Sequence, residues 1–140
     1  MKIIDELGQK GFIEHKVLGG SMMPFIRSGD RVIIVNKIRR LKKGEIGLFL
    51  LEENLVLHRV KKVKNNGYIF YGDNRYRSDG FVSEEKVFGR LIAIYKPNKK
   101  VECETKSFRV KGRLFNFWLF KPFLVFSMRT ISRIKKLFKK

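Results

Sequence analysis

The chain has 140 residues, enough for one domain with a modest core and too few for two ordinary domains. Hydrophobic residues at 44% and charged residues at 32% exclude a wholly disordered chain and a multi-span membrane protein. The 32 Lys and Arg against 13 Asp and Glu leave +19, a balance suited to nucleic acid, an anionic membrane or an acidic partner, while the single cysteine, Cys103, excludes an intramolecular disulfide and a multi-cysteine metal site.

In chain order, residues 1–18 form a short N-terminal segment. Asp5, Glu6, Gln9, Lys10, Glu14, His15 and Lys16 interrupt its apolar residues, so no signal-peptide core is expected there. Ile3, Ile4, Leu7 and Phe12 make one stripe of a short helix that Gly8 and Gly11 weaken and end. Residues 19–104 form the main domain. Gly19-Gly20-Ser21-Met22-Met23-Pro24 predicts a sharp turn, and Ser28-Gly29-Asp30 a second one entering the first strong strand. From there the pattern is one of short β runs: Arg31–Val35, Gly47–Leu51, Leu55–Val63, Tyr68–Tyr71 and Val87–Lys96. Asn65-Asn66-Gly67 supplies residues that tolerate positive φ, which predicts a hairpin between the third and fourth runs. The fold class is therefore mostly β.

Residues 105–140 differ in character. They hold 11 basic residues, no acidic one, seven of the 13 Phe and the only Trp, which leaves +8 for the first 104 residues. A solvated disordered arm is not this aromatic. The apolar run Leu114–Met128 carries Lys121-Pro122, is shorter than the roughly 20 apolar residues of a spanning helix, and continues as a helical stripe through Ile131, Ile134 and Phe138 opposite Arg129, Arg133 and Lys135. Such a basic, aromatic, helical tail predicts that Leu114–Lys140 lies on an anionic membrane surface rather than crossing it. The alternative is that Phe115, Phe117, Trp118 and Phe120 pack on the β domain as an added strand.

Candidates for chemistry are few. In Val56-Leu57-His58-Arg59-Val60, strand alternation places His58 on one face with Val56 and Val60, and Leu57 and Arg59 on the other. Partial desolvation there favours the neutral imidazole that a general base requires, although the same pattern suits a core histidine bonded to a backbone carbonyl. Ser21, after two glycines, suits an exposed nucleophile beside main-chain N–H groups, or else an ordinary Gly-Ser loop. Lys61 and Lys62 offer a lysine base as an alternative to His58. Glu52-Glu53 and Glu84-Glu85 read as solvated turns. No phosphate-binding loop, dinucleotide fingerprint or His-Glu-x-x-His occurs, and no cofactor or metal is expected.

Taken together, Gly20-Ser21-Met22-Met23-Pro24, Gly29-Asp30 leading into Val32–Val35, Gly44-Glu45-Ile46, His58-Arg59-Val60, and Gly72-Asp73-Asn74 with Asp79 resemble the ordered boxes of signal peptidase I and its LexA-like relatives. The resemblance spans Gly19 to about Lys96 and implies a coiled β-sheet peptidase domain. In that superfamily the general base is a lysine in the bacterial signal peptidases and the self-cleaving SOS repressors, and a histidine in the endoplasmic-reticulum and archaeal type. The resemblance thus implies Ser21 as nucleophile, with its main-chain N–H in an oxyanion hole, His58 as base and Asp79 as the acid that orients the imidazole. Asp73, which matches the box's own aspartate, is implied as a supporting residue. Two departures stand out: only 20 polar-rich residues precede the serine where familiar signal peptidases carry a membrane anchor, and Met22-Met23-Pro24-Phe25 is bulky where the pattern often shows a small or acidic residue.

The reading that follows is a serine endopeptidase acting on small-residue sites in an extended peptide or protein substrate. Its competitor is a non-catalytic β-fold module that uses the basic, aromatic tail on anionic membrane or nucleic acid. Nucleic acid is disfavoured because the repressor relatives bind it with a separate helix-turn-helix domain, for which no room exists before Ser21. A basic ribosome-associated protein would account for +19 but not for the Ser21, His58 and Asp79 series. The expected location is cytoplasmic or peripheral to a membrane.

Overall fold

Ile3 and Leu7, one turn apart, give the first element its apolar stripe. Helix α1 (Lys2–Lys10) packs Leu7 into the main core and stops where Gly11 takes a φ of +80°. Phe12, expected to continue the helical stripe, instead begins the first strand and is exposed. This is a computed structural model, and it describes residues 2–116 together with Phe126 and Arg133.

Eight strands follow: β1 (Phe12–Lys16), β2 (Arg31–Asn36), β3 (Ile46–Leu51), β4 (Asn54–Lys64), β5 (Gly67–Tyr71), β6 (Ser78–Ser83), β7 (Val87–Lys96) and β8 (Lys99–Glu102). They make one antiparallel sheet in the order β1-β2-β7-β3-β4-β5-β6, with β8 paired to the C-terminal half of β7. The mostly β fold is as expected, and the five β runs read from the sequence correspond to β2, β3, β4, β5 and β7. The β4–β5 hairpin turns at Asn65 and Asn66, as predicted, but neither asparagine adopts a positive φ; that conformation falls at Glu52 in the β3–β4 turn.

Register shifts between β2 and β7, β3 and β7, β4 and β5, and β5 and β6 bend the sheet, and its two faces bury separate cores. Alternation along β3 serves both. Ile46 and Leu48 join Leu7, Ile34, Leu91 and Ile94 in the larger core, while Phe49 joins Val60, Tyr68, Phe70 and Val87 in the smaller one.

Residues 105–116, at the start of the basic segment, form α2 (Lys106–Phe115), capped by Thr105 Oγ1, which accepts from the Phe108 N–H at 3.1 Å. Phe108 enters the larger core and Gly112 is buried, whereas Leu114 is exposed. Phe115 meets Phe25 edge-on at 5.6 Å between ring centroids. Phe117, Trp118, Phe120, the Lys121-Pro122 break and most of the stripe read as a membrane-surface helix lie outside the described residues. Among the described residues no helix is long and apolar enough to cross a membrane.

Candidate active site

Three segments of the sheet carry the candidate residues. Ser21 sits in the long β1–β2 connection, whose base is closed by the Val17 N–H donating to Asp30 O at 2.8 Å and whose tip is pinned by buried Met22 and Ile26. Gly19 enters the tip at φ +94°, a conformation most side chains disfavour. His58 lies mid-strand in β4 opposite Gly47 of β3, and Asp79 is the second residue of β6.

The structure brings these three side chains together. Ser21 Oγ is 3.0 Å from His58 Nε2, and His58 Nδ1 is 2.6 Å from Asp79 Oδ2. A carboxylate only accepts, so the Nδ1–H donates to Asp79 and leaves the Nε2 lone pair to accept from the Ser21 hydroxyl. His58 is 5% exposed, with Ser21 and Asp79 half-buried around it. The close approach needs Gly72, where a Cβ would stand 2.8 Å from Ser21 O and 3.1 Å from His58 Nε2. The series opens on a cleft of about 490 Å³ lined by Ile13, Val17, Leu18, Leu48 and Leu57 among others. A serine hydroxyl hydrogen-bonded to an oriented imidazole, beside apolar walls that shed water from a bound chain, is an arrangement that can transfer an acyl group.

Asp73 stands apart from that series. It is fully buried and pairs with fully buried Arg59, the residue after His58, through Arg59 Nε to Oδ1 at 2.9 Å and Nη2 to Oδ2 at 2.7 Å. Arg59 Nη1 donates to Gly44 O at 2.9 Å, and the guanidinium carbon lies 4.9 Å from the Phe25 ring centroid and 5.0 Å from that of Phe108. The next residue, Asn74, donates from its main-chain N–H to Ser21 O at 2.8 Å and from Nδ2 to Gly20 O at 2.9 Å, so the loop bearing Asp73 also holds the serine backbone. The strand pattern puts Arg59 on a face with Leu55 and Leu57. An arginine among leucines, read beside a box aspartate, was the available signal for this buried pair.

The remaining candidates lie elsewhere. Lys61 and Lys62 are exposed on β4. His15 lines the outer cleft but is exposed. Glu84 is bound by Lys37, by the Tyr68 hydroxyl at 2.8 Å and by Arg40, so it is a cross-link rather than a solvated turn residue. Burial pushes the Cys103 thiol up to about 12, which keeps it protonated and inert. Burial alone would also raise the Glu45 carboxyl, but hydrogen bonds from Arg39 and the Lys42 N–H, with the Arg39 and Arg90 charges, hold it below the ordinary range.

An antiparallel sheet with these boxes in this order defines a class of β-fold peptidases, and the family comparison agrees. The family model described as Peptidase S24-like matches residues 7–92, well over half the chain and a span that includes Ser21, His58 and Asp79. The chain belongs to that family, the LexA and signal peptidase I-like serine peptidases that its ordered boxes resemble. No curated protein matches the chain.

Proposed function

We propose that this chain is a serine endopeptidase of the signal peptidase I-like type, with Ser21 as nucleophile, His58 as general base and Asp79 as the orienting acid. The observation that carries the reading is the unbroken series of contacts from Ser21 Oγ to His58 Nε2 and from His58 Nδ1 to Asp79, at the mouth of an apolar cleft. Membership of a peptidase family makes a peptide or protein the substrate class.

In this reading an extended peptide lies in the cleft with its scissile carbonyl over Ser21. Oγ attacks the carbonyl carbon as Nε2 takes its proton, and the Asp79 carboxylate stabilises the imidazolium that forms. The Ser21 main-chain N–H is the candidate donor to the oxyanion, on a backbone that Asn74 holds in place. Nε2 then returns the proton to the leaving amine, giving an acyl-enzyme, and a water activated by the same nitrogen releases the acid and restores the serine.

The test is incubation of the protein with a library of unstructured peptides, with products sequenced by mass spectrometry. Wild type should cut at a defined motif, and Ser21→Ala should cut nothing while keeping its circular dichroism spectrum. Equal cleavage by both proteins, or none by either, would favour the non-catalytic module.

A further inference from the structure

None of the residues of α2 lines the cleft, yet the helix closes around a guanidinium linked to the segments that carry Ser21 and His58. Arg59 follows His58 in β4. Its partner Asp73 lies between Gly72, packed against Ser21 O and His58 Nε2, and Asn74, which holds the Gly20 and Ser21 carbonyls. Phe25, four residues beyond Ser21, covers one side of the guanidinium.

The helix contributes three things to this assembly. Phe108 lies against the guanidinium at 5.0 Å. Asn116, at the C-terminal end of α2, donates from Nδ2 to Asp73 Oδ1 at 2.7 Å and to Gly112 O at 2.8 Å, so the carboxylate is held jointly by Arg59 and the helix end. Gly112 lets the helix approach: a Cβ there would stand 2.2 Å from Arg59 Cζ. A bidentate pair sealed from water tolerates little angular change, and errors of about 1 Å in a catalytic group cost on the order of a hundredfold in rate.

We propose that α2 is a positioning element of the peptidase site, with Asn116 and Gly112 acting as positioning residues through Arg59 and Asp73 on the Ser21 loop and the His58 strand. The inference rests on the serine-peptidase reading above.

The test uses the full chain and a fluorophosphonate, whose phosphorus bonds to serine Oγ as fluoride leaves and the base takes the hydroxyl proton. Labelling of wild type, Asn116→Ala and Gly112→Ala is resolved into probe affinity and limiting rate. Val87→Ala, which trims the smaller core on a strand without site residues, serves as the control for lost stability. Circular dichroism, together with Cys103 alkylation as a report on the core around Phe108, identifies a temperature at which every variant is folded. The expected result there is a limiting rate about tenfold lower in Asn116→Ala, and lower still in Gly112→Ala, with probe affinity unchanged and Val87→Ala equal to wild type. If Gly112→Ala does not fold, Asn116→Ala alone decides. Rates within twofold of wild type in the folded variants, or an equal fall in Val87→Ala, would overturn the inference while leaving the peptidase reading intact. A wild type that takes no label at Ser21 would overturn both.

Discussion

His58 and Arg59 are neighbours on β4 that face opposite ways, and the two sides they organise differ in physical character. On the His58 side each ring nitrogen has one partner, Ser21 and Asp79 are half-buried, and a cleft gives access. On the Arg59 side the guanidinium and the Asp73 carboxylate are both 0% exposed, bonded bidentately and covered by two aromatic rings. Three hydrogen bonds in a planar fork fix the guanidinium, so its side is built to hold a geometry. On the reading proposed above the contrast separates two tasks: the hydroxyl that would react faces the cleft, and the strand beside it is anchored by the buried ion pair.

The largest expected effects are on activity. Ser21→Ala and His58→Ala should each remove peptide cleavage, a loss on the order of 10⁴–10⁶-fold, because in the proposed mechanism nucleophile and base act as one unit. Their stabilities should diverge: Ser21→Ala should melt close to wild type, whereas His58→Ala empties a site beside Phe49 and leaves Asp79 without its imidazole, which costs about 1–3 kcal/mol. Activity assays paired with thermal melts check both halves.

Breaking the other side should damage the fold first. Arg59→Met leaves a buried carboxylate uncompensated, at a cost of about 3–5 kcal/mol by chemical denaturation. Arg59→Lys should recover little of that loss, since an ammonium cannot make the bidentate pair and reach Gly44 O together.

A smaller effect tests electrostatics away from both faces. The Glu45 carboxyl is depressed in the folded chain, so its contribution is complete above the unfolded value of about 4.3 and is lost as pH falls through the lower folded value. Glu45→Gln should therefore lower stability by about 1–2 kcal/mol at neutral pH and flatten the acid limb of a melting-temperature profile. The smallest effect concerns Cys103, 3% exposed with its thiol held up to about 12: iodoacetamide at pH 8 should modify it only at the rate at which the surrounding core opens.

The strands that were legible in the sequence are those whose burial produces a pattern. Val87–Lys96 and Arg31–Val35 are rich in β-branched and aromatic residues because β7 and β2 lie inside the sheet. β1 was not legible because only Ile13 of its five residues is buried, β8 because Lys99-Lys100-Val101-Glu102 buries none fully, and β6 because Ser78-Asp79-Gly80 carries no β preference and is ordered by pairing with β5. Ser21, His58 and Asp79 could be singled out because they are the residue types a serine peptidase would use and they sit in ordered boxes. Asn116 could not: its role depends on α2 docking across a sheet whose curvature comes from register shifts, and no local spacing encodes that distance.

Whether Ser21 is the nucleophile can be read from the location of a fluorophosphonate adduct, found by peptide mapping of the intact, labelled chain. One adduct is expected, on the peptide that contains Ser21, and none in His58→Ala. An adduct on Ser28 or Ser78 instead, or labelling that survives unchanged in His58→Ala, would contradict it.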